Sequence, residues 1–407
     1  MLIIIILLLL LRLITIYSFQ FHVAPMQGYS DQHYRYLCRL LSPSCVLWSE
    51  MLKPRDLFNG NEEMLLTRGM EYEISSKLND RVSECVFQLG DDNVDDLVKC
   101  VKLLNTYQYT QIDLNCGCPA IETDASYGAN LMKRPDHIAY IVNKMSEVSN
   151  VPISIKCRIG VHDNYNNNNT DNYDKLRSFV DTISRSNCKK LIIHSRSAIL
   201  QGLSPTKNRE VPPLRYDYVK QIAKEFTNID VVINGGFNKL DDVMNYRNDQ
   251  YLAGIMAGRW MLSNIFDLYH IDKLLHDRTY YYRTSEMTMK TAIVLYCEYA
   301  DKMMSYYSKD HYSSILLPIS IMTEGISSIL SQDNNRHIGQ ELGSILLESS
   351  LPLLSKAGYD INYDIIYNNN DDDVLIPGFD KFRKYLVKVM GKKITNKLRS
   401  NIDEAIN

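Results

Sequence analysis

The chain has 407 residues and a mass of 47.0 kDa, which exceeds one average domain, so two units or one large unit with an appendage are expected. Hydrophobic residues make up 45% and charged residues 23%, which excludes a wholly disordered chain. Lys+Arg 45 against Asp+Glu 48 leaves a net charge of −3, so no global positive field marks a nucleic-acid binder and any basic surface must be local.

Residues 2–11 are ten consecutive Leu or Ile, followed by Arg12. The run is long enough for the apolar part of a targeting segment but shorter than the roughly 20 residues that span a bilayer. Residues 1–18 are therefore expected to form a separate segment that directs the chain to an organelle of plastid type or to the secretory route; without such targeting the protein is cytoplasmic. A permanent anchor and a misassigned start codon are the alternatives, because a basic leading region and a small-residue cleavage site are both missing.

From residue 20 onward, short β-branched runs alternate with helical patterns. The strands are expected at Gln20–Met26, Ser44–Glu50, Glu84–Gly90, Thr110–Asn115, Val151–Arg158, Lys189–Ser195, Ile229–Asn234 and Leu252–Gly258. Helical periodicity falls at Asp31–Leu41, Asp95–Leu104, Asp136–Val148, Tyr173–Ser186 and Leu214–Phe226. Such alternation means βαβ units and a parallel sheet, and eight units over residues 19–268 fit a (β/α)8 TIM barrel. A doubly wound open sheet lacks its Gly-rich turn after the first strand. After residue 268 only helical runs remain, at Ser285–Tyr307, Ser313–Ser331, Arg336–Ala357 and Asp380–Ile406. Residues 269–407 thus read as a small helical-bundle domain. Asn164–Tyr173 and Asn368–Asp373 are polar tracts expected at the surface.

Nearly every expected strand ends in a polar residue or Gly: Gln27, Glu50, Gln88, Asn115, Lys156 with Arg158, His194, Asn234 and Arg259. In a barrel these ends share one mouth, where active sites are built. Asn234-Gly235-Gly236 and Gly258-Arg259 follow the seventh and eighth strands, the usual place for a phosphate, so a phosphorylated cofactor is expected there. Nine cysteines occur without a CxxC pair, so neither a zinc ribbon nor a disulfide scaffold is expected, and no metal. In Asn115-Cys116-Gly117-Cys118-Pro119, a thiol just past a strand end is placed to act as acid, base or nucleophile, and an unperturbed thiol is mostly protonated at neutral pH. Cys116 reads as packing. Lys156 beside a flavin would stabilise the anionic reduced ring, and His194 stands opposite it.

Together these segments resemble the tRNA-dihydrouridine synthases, most closely their bacterial DusA-type branch. The resemblance rests on Val23-Ala24-Pro25-Met26, Trp48-Ser49-Glu50-Met51, Gln88-Leu89-Gly90, Leu114 to Pro119, Tyr127-Gly128-Ala129 and Ile155 to Gly160. Ile193 to Arg196, Asn208 to Leu214, Ile233 to Gly236 and Gly258-Arg259 complete it. It implies an enzyme that reduces FMN with NADPH and then reduces the C5=C6 bond of a tRNA uridine, at D-loop positions 20 and 20a. By this similarity Ala24, Pro25, Met26, Gln88, Lys156, His194, Asn234, Gly235, Gly236, Gly258 and Arg259 bind FMN. Cys118 matches the cysteine that protonates the base, and Asn115, Arg158, Arg209 and Arg336 match or suit tRNA contacts. The target uridine lies inside a folded RNA and must be flipped out to reach the flavin.

Lys381, Arg383, Lys384, Lys388, Lys392, Lys393, Lys397 and Arg399 form a basic run that suits phosphate tracking. The chain is expected to act as a monomer, with tRNA as the partner that the resemblance implies and no stable protein partner. The chain departs from the family pattern at Ala120 and Glu122, at Thr206 with Lys207 one place later, and at Gly339 three residues after Arg336. Two rival functions remain: an FMN-dependent reductase of free pyrimidines, like a dihydroorotate dehydrogenase, and an RNA-binding protein with a decayed flavin site. The second predicts loss of Cys118 or of the Lys156/His194 pair, and all three residues are present.

Overall fold

On a strand, residues two apart share a face, so Gln111, Asp113 and Asn115 point one way while Ile112, Leu114 and Cys116 point the other. Both faces of this strand are buried, as a parallel strand between a helical layer and a filled interior requires. The computed structural model describes residues 19–59, 84–119, 127–165, 171–275 and 288–358, together with Phe382. The N-terminal apolar run, Ala120, Glu122, the Asn368–Asp373 tract and the basic run (its Phe382 apart) lie outside the described residues.

The barrel strands are β1 (Gln20–Val23), β2 (Leu47–Leu52), β3 (Cys85–Leu89), β4 (Gln111–Cys116), β5 (Ile153–Arg158), β7 (Lys190–His194), β9 (Asp230–Asn234) and β10 (Gly254–Ala257). They pair in parallel in the order β1-β10-β9-β7-β5-β4-β3-β2. Val23 N–H donates to Val46 O and Val46 N–H to Phe21 O, each at 2.9 Å, which closes β2 onto β1. The eight expected strands are thus all present, and the (β/α)8 barrel is the observed fold. Two further strands, β6 (Val161–Asn164) and β8 (Ala198–Gln201), pair in parallel beyond the ends of β5 and β7. They are too short for period-2 alternation to announce them, and Asn164 opens a tract expected as loop. The first strand stops at Val23 rather than Met26, because Tyr29 and Ser30 N–H groups both fold back to Met26 O at 3.0 Å.

Around the barrel run α1 (Gln32–Leu41), α2 (Pro54–Asn59), α3 (Val94–Leu104), α4 (Pro135–Val148), α5 (Tyr173–Ser184), α6 (Tyr216–Glu225), α7 (Leu240–Tyr246), α8 (Arg259–Ser263) and α9 (Asp267–Leu275). Their starts carry local stop signals for the preceding loops. Asp31 caps α1 by accepting from His33 and Tyr34 N–H at 2.9 Å, and Asn93 and Asn172 cap α3 and α5. Each such cap contributes about 1 kcal/mol.

The barrel interior is its own small cluster of Ala24, Val46, Trp48, Val86, Ile192, Val232 and Met256. Below it, at the N-terminal end, Lys190 Nζ donates to Gln20 Oε1 at 2.9 Å and Gln20 Nε2 to Glu84 Oε1 at 2.5 Å. This polar and apolar plug closes the lower barrel as a floor.

Three helices follow the barrel: α10 (Met289–Tyr306), α11 (Tyr312–Leu330) and α12 (Arg336–Lys356). Lys309–Leu330 is long and apolar enough to cross a membrane, yet Ile315 to Thr323 are buried inside the protein, which is the behaviour of a core helix. The helices pack onto α1. Tyr36 stacks on Tyr299 with ring centroids 3.8 Å apart, and His33 Nδ1 lies 2.6 Å from the Tyr299 hydroxyl. One apolar core runs from the outer barrel layer into these helices.

Candidate active site

The mouth is lined by the upper inward residues of successive strands. In register, Asn115 on β4 stands beside Lys156 on β5, Arg158 beside His194 on β7, and His194 beside Asn234 on β9. These expected site residues therefore come together because the barrel puts every strand's C-terminal end on one rim.

The Cys118 loop is held from both sides. Asn115 Oδ1 accepts from Gly117 N–H at 3.0 Å and from Cys118 N–H at 2.9 Å. On the far side Ala129 N–H donates to Cys118 O at 2.8 Å. Gly128 makes that approach possible: its φ is +66°, and a Cβ there would lie 2.5 Å from Cys118 O. Cys118 alone among the nine cysteines is partly exposed; the other eight are buried. Burial pushes its thiol above the ordinary value of 9.0, while Arg158, Lys156, Arg209 and Lys53 pull the other way. The thiol thus keeps its proton at neutral pH but sits where a thiolate would be met by cations.

Lys156 is pushed down to about 8 by burial first and by the Arg158 guanidinium second, with Asp113 opposing. Its Nζ has no hydrogen-bond or ion-pair partner among the described residues, so a cation at the mouth is left for a ligand. His194 is held neutral by burial and by Arg158, Lys156, Arg196 and Arg209. Its Nδ1 accepts from Arg196 N–H at 3.3 Å, which places the ring proton on Nε2.

The glycines form a cradle. Gly235 and Gly236 have φ of +116° and +76°. A Cβ on Gly235 would meet the His194 ring at 3.2 Å, and one on Gly236 would lie 2.7 Å from Leu214 Cδ1. Tyr216 OH donates to Gly235 O at 2.6 Å, and Asn234 Nδ2 to Met256 O at 2.8 Å. A Cβ on Gly258 would lie 3.3 Å from both Ala24 Cβ and Met26 Sδ. Pro25 lies between them in a loop that Ser30 ties down, its Oγ accepting from Met26 N–H at 3.0 Å. Arg259 follows Gly258, with Nη1 3.7 Å from Glu210 Oε1 and Nη2 3.4 Å from Arg209 O.

Arg158 and Arg209 were expected to face RNA, and the structure shows what else occupies them. Arg158 is buried and donates to Gly117 O at 2.8 Å, Ser197 O at 3.1 Å and Asn208 O at 2.9 Å. It knits the Cys118 loop to the Asn208–Leu214 stretch. Asn208 in turn is bound to both the N–H and the carbonyl of Ile199. Arg209 lies near Cys118 and His194 and donates to Thr206 Oγ1 at 3.2 Å. Arg336 is exposed at the first residue of α12, on the helical layer rather than among the strand ends. A side chain on Gly339 would meet Leu330 at 2.9 Å, so α11 and α12 approach too closely there for a second cation.

One set of polar residues escaped the sequence reading. Asp113 is fully buried and accepts from Gln88 Nε2 at 2.8 Å and Ser154 Oγ at 2.7 Å. Burial pushes its carboxyl up to about 7 against those two donors. The signal was present: Gln111, Asp113 and Asn115 put a polar residue at every second position of β4, which an apolar interior would not tolerate without partners.

The model of the dihydrouridine synthase family matches residues 22–326. The chain belongs to the dihydrouridine synthase family. The resemblance read from its motifs is borne out, and the protein is an enzyme of that family. Among its relatives are three proteins named tRNA-dihydrouridine(20/20a) synthase. That of Shewanella oneidensis is 35% identical over 256 residues, covering 63% of this chain and 71% of that protein. That of Pseudomonas syringae pv. tomato is 36% identical over 259 residues, covering 63% and 72%. That of Synechocystis sp. is 31% identical over 258 residues, again covering 63% and 72%. Morphinone reductase, a solved structure, is 10% identical with a TM-score of 0.44 over 63% of this chain and 85% of its own, too distant to bear on the function. For this dihydrouridine synthase the match runs past the barrel through α10 and into α11.

Proposed function

We propose that the protein reduces the C5=C6 bond of a uridine in the tRNA D-loop, at positions 20 and 20a, using FMN in the barrel mouth and NADPH as reductant. The observation that carries this reading is Cys118: a thiol held protonated by burial, at the mouth, within the influence of Lys156 and Arg158.

The residues present fit the flavin. A cradle that a Cβ would fill at Gly235 and Gly236, a Lys156 ammonium with no partner among the described residues and a neutral His194 with its Nε2 proton available suit a flavin ring with a phosphate at the end of its side chain. Lys156, Gln88 and His194 would hold the ring system. Asn234, Gly235, Gly236, Gly258 and Arg259 would hold the phosphate, with Ala24, Pro25 and Met26 packed alongside. Bound there and reduced by NADPH, the flavin would supply a hydride for one carbon of the uridine double bond. Cys118 gives the proton to the other, and the resulting thiolate is stabilised by Arg158, Lys156, Arg209 and Lys53 before water restores it. Asn115 and Arg158 fix where that thiol stands. Arg209 at the rim, Arg336 and the basic run after residue 380 would meet the tRNA phosphates, making residues 269–407 the tRNA-binding part of the chain.

The test supplies the full chain with FMN, NADPH and an unmodified tRNA transcript and maps dihydrouridine position by position. Dihydrouridine at 20 or 20a, lost in Cys118→Ala, is the expected result. NADPH consumption on free uridine or orotate with untouched tRNA would overturn it in favour of a small-molecule reductase. Targeting by residues 1–18 rests on sequence alone, and a cytosolic reporter fused to residues 1–30 would rule it out.

A further inference from the structure

Five side chains form one directed line from the barrel interior to the Cys118 loop. Gln111 Nε2 donates to Ser154 Oγ at 2.6 Å, so the Ser154 hydroxyl spends its own hydrogen on Asp113 Oδ1 at 2.7 Å. Asp113 Oδ2 accepts from Gln88 Nε2 at 2.8 Å. That turns Gln88 Oε1 toward Asn115 Nδ2, which donates to it at 3.0 Å. Asn115 Oδ1 is thereby turned toward the N–H groups of Gly117 and Cys118. An amide is nearly symmetric in shape and asymmetric in hydrogen bonding, so each one could be seated either way round by packing alone. Both oxygens of Asp113 accept here, from Ser154 Oγ and from Gln88 Nε2, as its ionised form does. Asp113 therefore decides the orientation of Gln88, and through it that of Asn115.

We propose that Asp113 is a positioning residue for the Cys118 thiol, acting through Gln88 and Asn115. The proposal rests on the reading of Cys118 as the proton donor. All five relay residues are buried, with Asp113 and Ser154 fully so and Gln88 1% exposed. Water cannot substitute for a misdirected donor there, so a reversal at the bottom is carried upward. The uppermost amide, reversed, would aim N–H groups at the two loop N–H groups it now binds.

The test uses Asp113→Asn, which keeps size and shape. The introduced amide cannot turn its nitrogen toward Ser154 without leaving the hydroxyl hydrogen unaccepted, since Ser154 Oγ already accepts from Gln111. It turns that nitrogen toward Gln88 instead, and the line reverses. The double variant Gln88→Glu with Asp113→Asn restores it. There the amide at position 113 donates to the new carboxylate at position 88, whose other oxygen again accepts from Asn115. The readout is the rate of iodoacetamide alkylation at Cys118, mapped by mass spectrometry on the full chain as purified, with flavin content measured on each preparation. Because the other eight cysteines are buried, the modified site is unambiguous.

Asp113→Asn is expected to change the Cys118 rate about fivefold, the equivalent of one ordinary hydrogen bond, and to lower kcat with little change in KM for tRNA. The double variant is expected to return the alkylation rate to within about twofold of the parent. An unchanged rate in Asp113→Asn, or a double variant no nearer the parent than the single, overturns the proposal. Thermal melts of all variants separate misfolding from reorientation. If the parent forms no dihydrouridine, the reading of Cys118 as donor fails, while the alkylation comparison still judges the relay.

Discussion

Trp48 donates its indole N–H to Nδ1 of His22 at 3.2 Å in the middle layer of the barrel, and His22 Nε2 is buried without a hydrogen-bond partner among the described residues. Burial, with Lys190 adding to it, holds His22 neutral well below the ordinary histidine value. The unfolded chain takes up a proton near pH 6.5 and the folded one refuses it, so this residue's contribution to stability is present above that pH and lost as pH falls below it. His22→Asn removes the effect. Between about pH 7.5 and 5.5 the parent should lose about 1.4 kcal/mol more than the variant through this site. Urea unfolding at the two pH values measures it, and equal losses would show that His22 is protonated in the fold.

The proton held by Cys118 sets a second expectation. Serine is a far weaker acid, so Cys118→Ser should lower kcat by on the order of 10²–10⁴-fold while leaving flavin content unchanged. Because burial raises the thiol above 9.0, the parent should keep its proton-donating form through neutral pH and lose it only as pH rises past the ordinary thiol range. Alkylation of Cys118 should be slow at neutral pH and accelerate above it. A thiol fully reactive near pH 7 would show that the nearby cations outweigh burial.

Gly236→Ala puts a methyl group 2.7 Å from Leu214 Cδ1 and 2.9 Å from the Tyr216 hydroxyl, on a backbone with φ of +76°. Strain of about 1–3 kcal/mol is expected. The cradle should also yield, so the purified variant should carry less flavin than the parent and melt at a lower temperature. Full flavin occupancy in this variant would remove the cradle from the phosphate site.

Adding the cation missing at position 339 should fail. Gly339→Arg must push its Cβ against Leu330, whose Cγ lies 2.9 Å away and whose backbone N lies 3.1 Å away. A cost of about 1–3 kcal/mol is expected, and tRNA affinity should not improve. A variant of parental stability that binds tRNA more tightly would show that α11 and α12 separate easily.

The barrel was legible because its signals are local and repeated. Each strand is a short β-branched run, each is followed by an amphipathic helix, and the polar strand ends then share a rim by geometry alone. β6 and β8 were not legible, since four-residue strands owe their existence to partners across the mouth. The roles of Arg158 and Asp113 stayed hidden for a related reason. Arg158 reads as a cation at the mouth, yet its partners are the carbonyls of Gly117, Ser197 and Asn208, spread over three loops. Asp113 reads as one polar residue in an apolar strand until Gln88 and Ser154 from the neighbouring strands are brought beside it. Gly339 looked like a lost contact and is a packing requirement.

The stacking of Tyr36 on Tyr299 ties the first barrel helix to the first helix beyond the barrel. A chain cut after residue 275 would leave that tyrosine, His33 and their neighbours as an uncovered aromatic face on an otherwise finished barrel. The catalytic scaffold and its appendage are thus not separable cassettes. Any replacement of the helices that follow this barrel, by an engineer or by recombination, must keep α10 or supply a substitute ring for Tyr36 to rest on.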